Sequence, residues 1–121
     1  MAWKKFLLDE DPISVSDVTK TATPTRIQAT LAGNTLVWDP AAGKKLRIKF
    51  IMVFNSGAAA ITVYLREGAA GTARFQAALA ANSGYLMNLI GCNWELATDA
   101  ILYVNLSGAG TVDITVIGEE I

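Results

Sequence analysis

The sequence predicts an all-β protein, a single antiparallel sandwich or barrel of about eight short strands with an extended N-terminal arm. Three observations carry that prediction. From Arg26 onward, apolar and polar residues alternate in short runs. Clusters of Gly, Asn, Ser and Pro punctuate those runs where hairpin turns would fall. No segment sustains the apolar period of an amphipathic helix. At 121 residues the chain suffices for one domain with its own core and is too short for two.

Residues 1–25 read as the arm. Charges and prolines cluster there at Lys4-Lys5, Asp9-Glu10-Asp11-Pro12, Asp17, Lys20 and Pro24, and threonines close it at Thr19, Thr21, Thr23 and Thr25. Neither a helical nor a strand period persists, so the apolar content is an anchor at Trp3, Phe6, Leu7 and Leu8. Fully extended, such an arm spans up to roughly 80 Å.

Residues 26–121 form the β domain. Arg26 to Leu31 alternates, and Gly33-Asn34 turns the chain into Thr35 to Trp38. Asp39-Pro40-Ala41-Ala42-Gly43 is a second turn, proline setting φ and glycine allowing the reversal. The longest strand runs from Lys45 to Phe54. Its even positions, Leu46, Ile48, Phe50, Met52 and Phe54, make one apolar face, while its odd positions begin charged at Arg47 and Lys49 and end apolar at Ile51 and Val53. A strand apolar on both sides at one end lies under a loop or against another subunit, which marks Ile51 and Val53 as a subunit contact. That assignment depends on register, because a one-residue slip exchanges the two faces. Asn55-Ser56-Gly57 then leads to Ile61–Arg66, and Gly68 and Gly71 bracket the turn into a weaker strand, Thr72–Leu79. Ala77–Ala81 has a single helical turn as its alternative. Asn82-Ser83-Gly84 precedes Tyr85–Ile90, and Gly91-Cys92-Asn93 precedes Trp94–Leu96. Ile101–Leu106, the Ser107–Gly110 turn and Thr111–Ile117 complete the domain.

Composition argues against catalysis. The chain has no histidine, which removes Ser-His-Asp and Cys-His nucleophiles and imidazole metal ligands. One cysteine, Cys92, makes no internal disulfide and reads as an inert, partly buried thiol. No phosphate-binding, dinucleotide-binding or metalloprotease motif is present, so no cofactor, metal or small-molecule substrate is expected. The carboxylate pairs Asp9/Asp11 and Glu119/Glu120 fall in terminal stretches expected to be solvated, and the first lacks the glycine turn and distal glutamate of a calcium loop. With 10 basic and 11 acidic side chains there is no field to attract nucleic acid or anionic lipid. The basic run Lys44-Lys45-Leu46-Arg47-Ile48-Lys49-Phe50 is expected to be a solvated strand face or a dock for an acidic partner. Neither a targeting nor a membrane segment appears, since the opening apolar run stops at Asp9. Charged residues are only 17%, against about 25% ordinarily. A domain so poor in charge, with mean hydropathy +0.35, is expected to cover surface with a partner or with copies of itself. Trp3, Trp38, Trp94, Tyr64, Tyr85 and Tyr103 read mainly as core plugs, with a sugar-stacking platform as the functional alternative.

The Trp-Lys-Lys-Phe-Leu-Leu start, the Ser-Asp-Val-Thr arm and a core running through Gly43-Lys44-Lys45, Asn55-Ser56-Gly57, Leu79–Tyr85, Ala100–Leu102, Ser107-Gly108 and Val112–Val116 resemble small virion proteins of tailed bacteriophages. Among these the chain is most similar to the jelly-roll capsid decoration, or cement, proteins. The resemblance spans residues 35–118 as texture and is shared with tail, fibre and baseplate modules. It implies a jelly roll without catalytic residues, made in the host cytoplasm and carried on the outer capsid surface. It also implies a homotrimer at three-fold positions, with the major capsid protein as partner and the arm reaching a neighbouring subunit or capsomer. A carbohydrate-binding sandwich is the other reading.

Overall fold

Alternation becomes nine strands among the described residues, which in the computed structural model are 23–92 and 94–121. These are β1 (Thr23–Ala29), β2 (Gly33–Trp38), β3 (Leu46–Asn55), β4 (Ile61–Glu67), β5 (Ala73–Leu79), β6 (Ser83–Asn88), β7 (Trp94–Glu95), β8 (Leu102–Leu106) and β9 (Val112–Glu120). They form two antiparallel sheets, one ordered β1-β9-β3-β6 with β7 also on β3, the other ordered β2-β8-β4-β5. β1 pairs with β9, β2 with β8, β3 with β6 and β4 with β5. Those nested pairs describe one long antiparallel ribbon rolled into a sandwich, the jelly-roll topology.

Sequence and structure differ at the ends of several strands. Thr23, Pro24 and Thr25, read as the end of the arm, already pair with Gly118, Ile117 and Val116. β9 continues past Ile117 to Glu120, and Ala77 to Leu79 stay in strand β5 rather than forming a helical turn. The core lies between the sheets. Leu46, Ile48, Ile51 and Val53 of β3 and Val112, Ile114 and Val116 of β9 face Val63 and Leu65 of β4 and Leu102, Val104 and Leu106 of β8, all buried. Asn55 is buried too, and its amide donates to the Ala59 carbonyl at 2.8 Å while its oxygen accepts from the Gly57 N–H at 3.0 Å. Both ends of that side chain are satisfied, so its burial is compatible with the core.

The register of β3 corrects one expectation. Ile48 stands opposite Gly118 and Phe50 opposite Ile117, so Lys49 is an extra residue with no partner on β9. This β-bulge shifts the phase of the strand by one residue. Leu46 and Ile48 face the core before it, and Ile51 and Val53 face the core after it, each at most 1% exposed. Met52 and Phe54 turn outward instead, both 41% exposed. Ile51 and Val53 are therefore core residues of one subunit, not a contact between subunits. The bulge also marks a change of neighbour. β3 pairs with β7 at Arg47 and Ile48 and with β6 from Phe50 onward, and the Leu89 N–H donates to the Lys49 carbonyl at 2.8 Å between them. On the opposite strand, a Cβ at Gly118 would run into the Arg47 carbonyl, so only glycine lets the backbones approach.

Val53→Ala should therefore cost about 2 kcal/mol or more of unfolding free energy, as truncation in a packed core does, and Met52→Ala well under 1 kcal/mol. Gly118→Ala should cost about 1–3 kcal/mol because backbone must move. Urea denaturation of the three variants checks this ordering; equal losses at positions 52 and 53 would contradict the register.

Candidate functional site

The outer face of the five-stranded sheet divides at the bulge into an ionic end and an apolar end. At the ionic end, Arg47 stands between Glu95 of β7 and Glu119 of β9, which are its direct cross-strand partners. Its guanidinium lies 2.9 Å from Glu95 Oε2 and 3.1 Å from Glu119 Oε1. Lys45 Nζ reaches Glu95 Oε1 at 2.9 Å, and Lys49 Nζ approaches Glu119 Oε1 at 3.7 Å. The basic run is thus matched by carboxylates of its own chain rather than left as a free cationic face. Hydrogen bonds from Lys45 and then Arg47 hold the Glu95 carboxyl below its ordinary range, and the bond to Glu95 is the first cause that raises the Arg47 guanidinium.

At the apolar end, Phe50, Met52 and Phe54 project from β3. Met52 lies opposite Leu86 of β6 and Thr115 of β9, and Phe54 opposite Gly84 and Asp113. Gly84 leaves room for an aromatic ring, since a Cβ there would sit 2.9 Å from Phe54 Cδ2. Leu86 is 55% exposed, and Ile117 lies beside Phe50 on the row that also holds Pro24. Together these side chains form a continuous apolar strip across β9, β3 and β6. Its rim is polar. Asp113 accepts from Arg26 at 3.3 Å and from Gln28 at 3.2 Å. An apolar patch with a polar rim is the composition of a docking surface.

Trp38 is buried and its indole N–H donates to Glu120 Oε2 at 3.3 Å, while Trp94 is half-buried against the core. Tyr85 closes the open edge of the sandwich against Phe75, ring centroids 5.4 Å apart. Tyr64 and Tyr103 lie half-buried on the outer face of the four-stranded sheet. Cys92 is exposed in the turn before β7, not partly buried as its apolar flanks suggest. Glu119 and Glu120 are not a solvated tail, because β9 carries both: Glu119 is 9% exposed among cations, and Glu120 Oε1 accepts the Ala41 N–H at 2.6 Å. Glu67 binds Arg74 and the Ala97 N–H, the latter at 2.6 Å. Among the described residues, no group of three or more His, Cys, Asp or Glu side chains is placed to hold a metal ion. Trp3, Phe6, Leu7, Leu8 and the Asp9/Asp11 pair lie outside the described residues. Sequence reasoning missed Met52, Phe54 and Leu86 as exposed. The one available signal was that β3 turns apolar on both faces just after Lys49.

No protein-family model matches the sequence, and no curated protein matches it. The chain superposes on solved structures. A chain in the acidic-stable capsid of Helicobacter pylori bacteriophage KHP30 superposes with TM-score 0.59 at 5% identity, covering 84% of this chain and 88% of that one. A chain from the disulfide-linked pili that are Bacillus endospore appendages gives 0.49 at 14% identity, over 81% and 86%. A chain of the cyanophage Pam1 capsid gives 0.47 at 12%, over 81% and 84%. At such identities the likeness is one of fold, and the last two are too loose to carry an argument.

Two carboxyls, Glu95 and Glu67, bind protons less readily in the folded chain than in the unfolded one. The Ala97 N–H is the first cause that lowers Glu67, with Arg74 adding to it. Their contribution is complete above the ordinary carboxylate value of 4.5 and is lost as pH falls through the depressed folded values. The urea midpoint should therefore fall as pH drops below the ordinary carboxylate value of 4.5, and Glu95→Gln should flatten that fall; an unchanged slope would show the ionic end to be inconsequential.

Proposed function

We propose that this chain is a non-enzymatic virion structural protein, a capsid decoration or cement protein. It binds the outer shell as a homotrimer and stabilises it by bridging neighbouring capsid subunits, with the N-terminal arm supplying the reach. The observation that carries the reading is the apolar strip of Phe50, Met52, Phe54 and Leu86 on the outer face of a jelly roll. The same fold occurs in a chain of a bacteriophage capsid, and jelly rolls recur in shells.

Physics and role agree. A cement protein resists forces that separate subunits, so it needs a rigid body and contacts that reach beyond it. The body is two sheets locked on an apolar core. Three arms on one trimer would multiply individually modest contacts by effective concentration. The low charge of the chain follows if part of its surface is covered by copies or by a shell. Light scattering on the full chain should give three times the subunit mass of 12.9 kDa. A monomer at every concentration would overturn the reading.

One observation favours a carbohydrate-binding reading instead. Asn34, Asn105, Tyr64 and Gln76 stand in one row across the four-stranded sheet, with Tyr103 and Arg66 in the next. Aromatic rings beside amide and guanidinium donors are what a flat glycan platform requires. Titration with soluble glycans distinguishes the two: the virion reading expects no saturable fluorescence change, and a change abolished by Tyr64→Ala would replace it.

A further inference from the structure

The four-stranded sheet turns a different face outward, and one charge on it has no partner. Arg26 meets Asp113 at 3.3 Å, Arg47 meets Glu95 at 2.9 Å and Arg74 meets Glu67 at 2.6 Å. Arg66 of β4 meets no carboxylate among the described residues, and its Nε is buried without a hydrogen-bond partner there. We infer that the outer face of β8 and β4, centred on Arg66 with Tyr103, Tyr64 and Leu36 around it, docks an acidic segment of another protein. Such a surface goes beyond the decoration reading and does not depend on it.

Register builds the site. Leu36 of β2, Tyr103 of β8 and Arg66 of β4 stand in one row, which ends at Ala73 of β5. Tyr64 lies two residues before Arg66 and so shares its face, while Leu65 between them is buried in the core. The other members of the row are uncharged, and the methyl group of Ala73 cannot accept a hydrogen bond. A guanidinium covered at Nε is partly stripped of water, and a charged donor left there without an acceptor is costly. The side chain as a whole is half-buried, so it is not sealed from a ligand. A carboxylate answers that charge with short, directional hydrogen bonds.

The neighbours select a protein as the source of the carboxylate. Leu36 is 45% exposed in the same row, and tyrosine and arginine are the residues enriched at the centres of protein interfaces. A sugar would draw on the amides of the next row, but these are engaged. Asn105 Nδ2 donates to Asn34 Oδ1 at 2.8 Å, and Asn34 Nδ2 donates to the Ala69 carbonyl at 2.7 Å. A second copy has little to offer, because every carboxylate of the described residues except Asp39 already accepts a hydrogen bond.

The test titrates the isotope-labelled full chain with poly-L-glutamate and follows the arginine Nε–H and tyrosine amide signals by NMR. The expected result is a saturable shift at Arg66, Tyr64 and Tyr103, with Arg26 unmoved. Arg66→Gln should weaken binding about tenfold or more, as loss of a charge-assisted hydrogen bond does. Arg26→Gln, on the other sheet, should leave it unchanged. No saturable shift, or equal losses from the two variants, would overturn the site. An equal response to polygalacturonate would overturn the protein partner in favour of an acidic glycan. A smaller mass by light scattering for Arg66→Gln than for the parent chain would overturn it in favour of a second copy. Arg66→Gln should also hold the urea midpoint; a fall as large as that from Val53→Ala would show Arg66 to be structural and overturn the site. A chain that is monomeric throughout yet binds poly-L-glutamate through Arg66 would leave this surface standing while the decoration reading fails.

Discussion

The ladder between β3 and β9 joins the middle of the chain to its end, and the five-stranded sheet is organised around it. β3 contributes a residue to every row of the five-stranded sheet, and β9 separates it from β1. Within that ladder the bulge at Lys49 is the controlling detail. It lets one strand place Leu46 and Ile48 inward at one end and Ile51 and Val53 inward at the other while crossing from β7 to β6. Gly118 makes the close backbone approach possible from the other side. Because side chains alternate with a period of two, a single added residue transfers every later side chain to the opposite face. The core and the outward apolar strip are consequences of the same irregularity.

The outer face of that sheet shows how a chain poor in charge uses what it has. Lys45, Arg47 and Lys49 could have formed a basic stripe, but Glu95 and Glu119 meet them from the two flanking strands. Such pairs, partly exposed to water, add little stability individually. Their larger consequence is for recognition, since compensated charge leaves no strong field, while the other half of the face stays apolar. A surface of that kind suits short-range docking driven by burial rather than steering over distance. That suits the proposed role, in which many copies settle on a shell and on one another.

Most of the strand order along the chain was legible because alternation and turn chemistry are local properties. Ile61–Arg66 and Ile101–Leu106 emerge within a residue or so as β4 and β8. Strand ends were less legible. Thr23 to Thr25 read as arm because threonine and proline carry no apolar period, yet their backbone is paired by β9. Glu119 and Glu120 read as a solvated tail because two adjacent carboxylates look terminal, yet Arg47 and Trp38 are brought to them from far away in sequence.

By itself the sequence determined the all-β class, the sites of the turns and the absence of histidine chemistry, each of which depends on residue type and near-neighbour spacing. Only the tertiary structure decided which side of β3 is inside. That choice is made where β9, β6 and β7 meet at Lys49, and a bulge leaves almost no trace in the strand that contains it. Alternation is blind to an inserted residue until a partner strand supplies the register. The same pairing turned Ile51 and Val53 from a supposed contact into core, and made Met52, Phe54 and Leu86 the surface that remains to be covered.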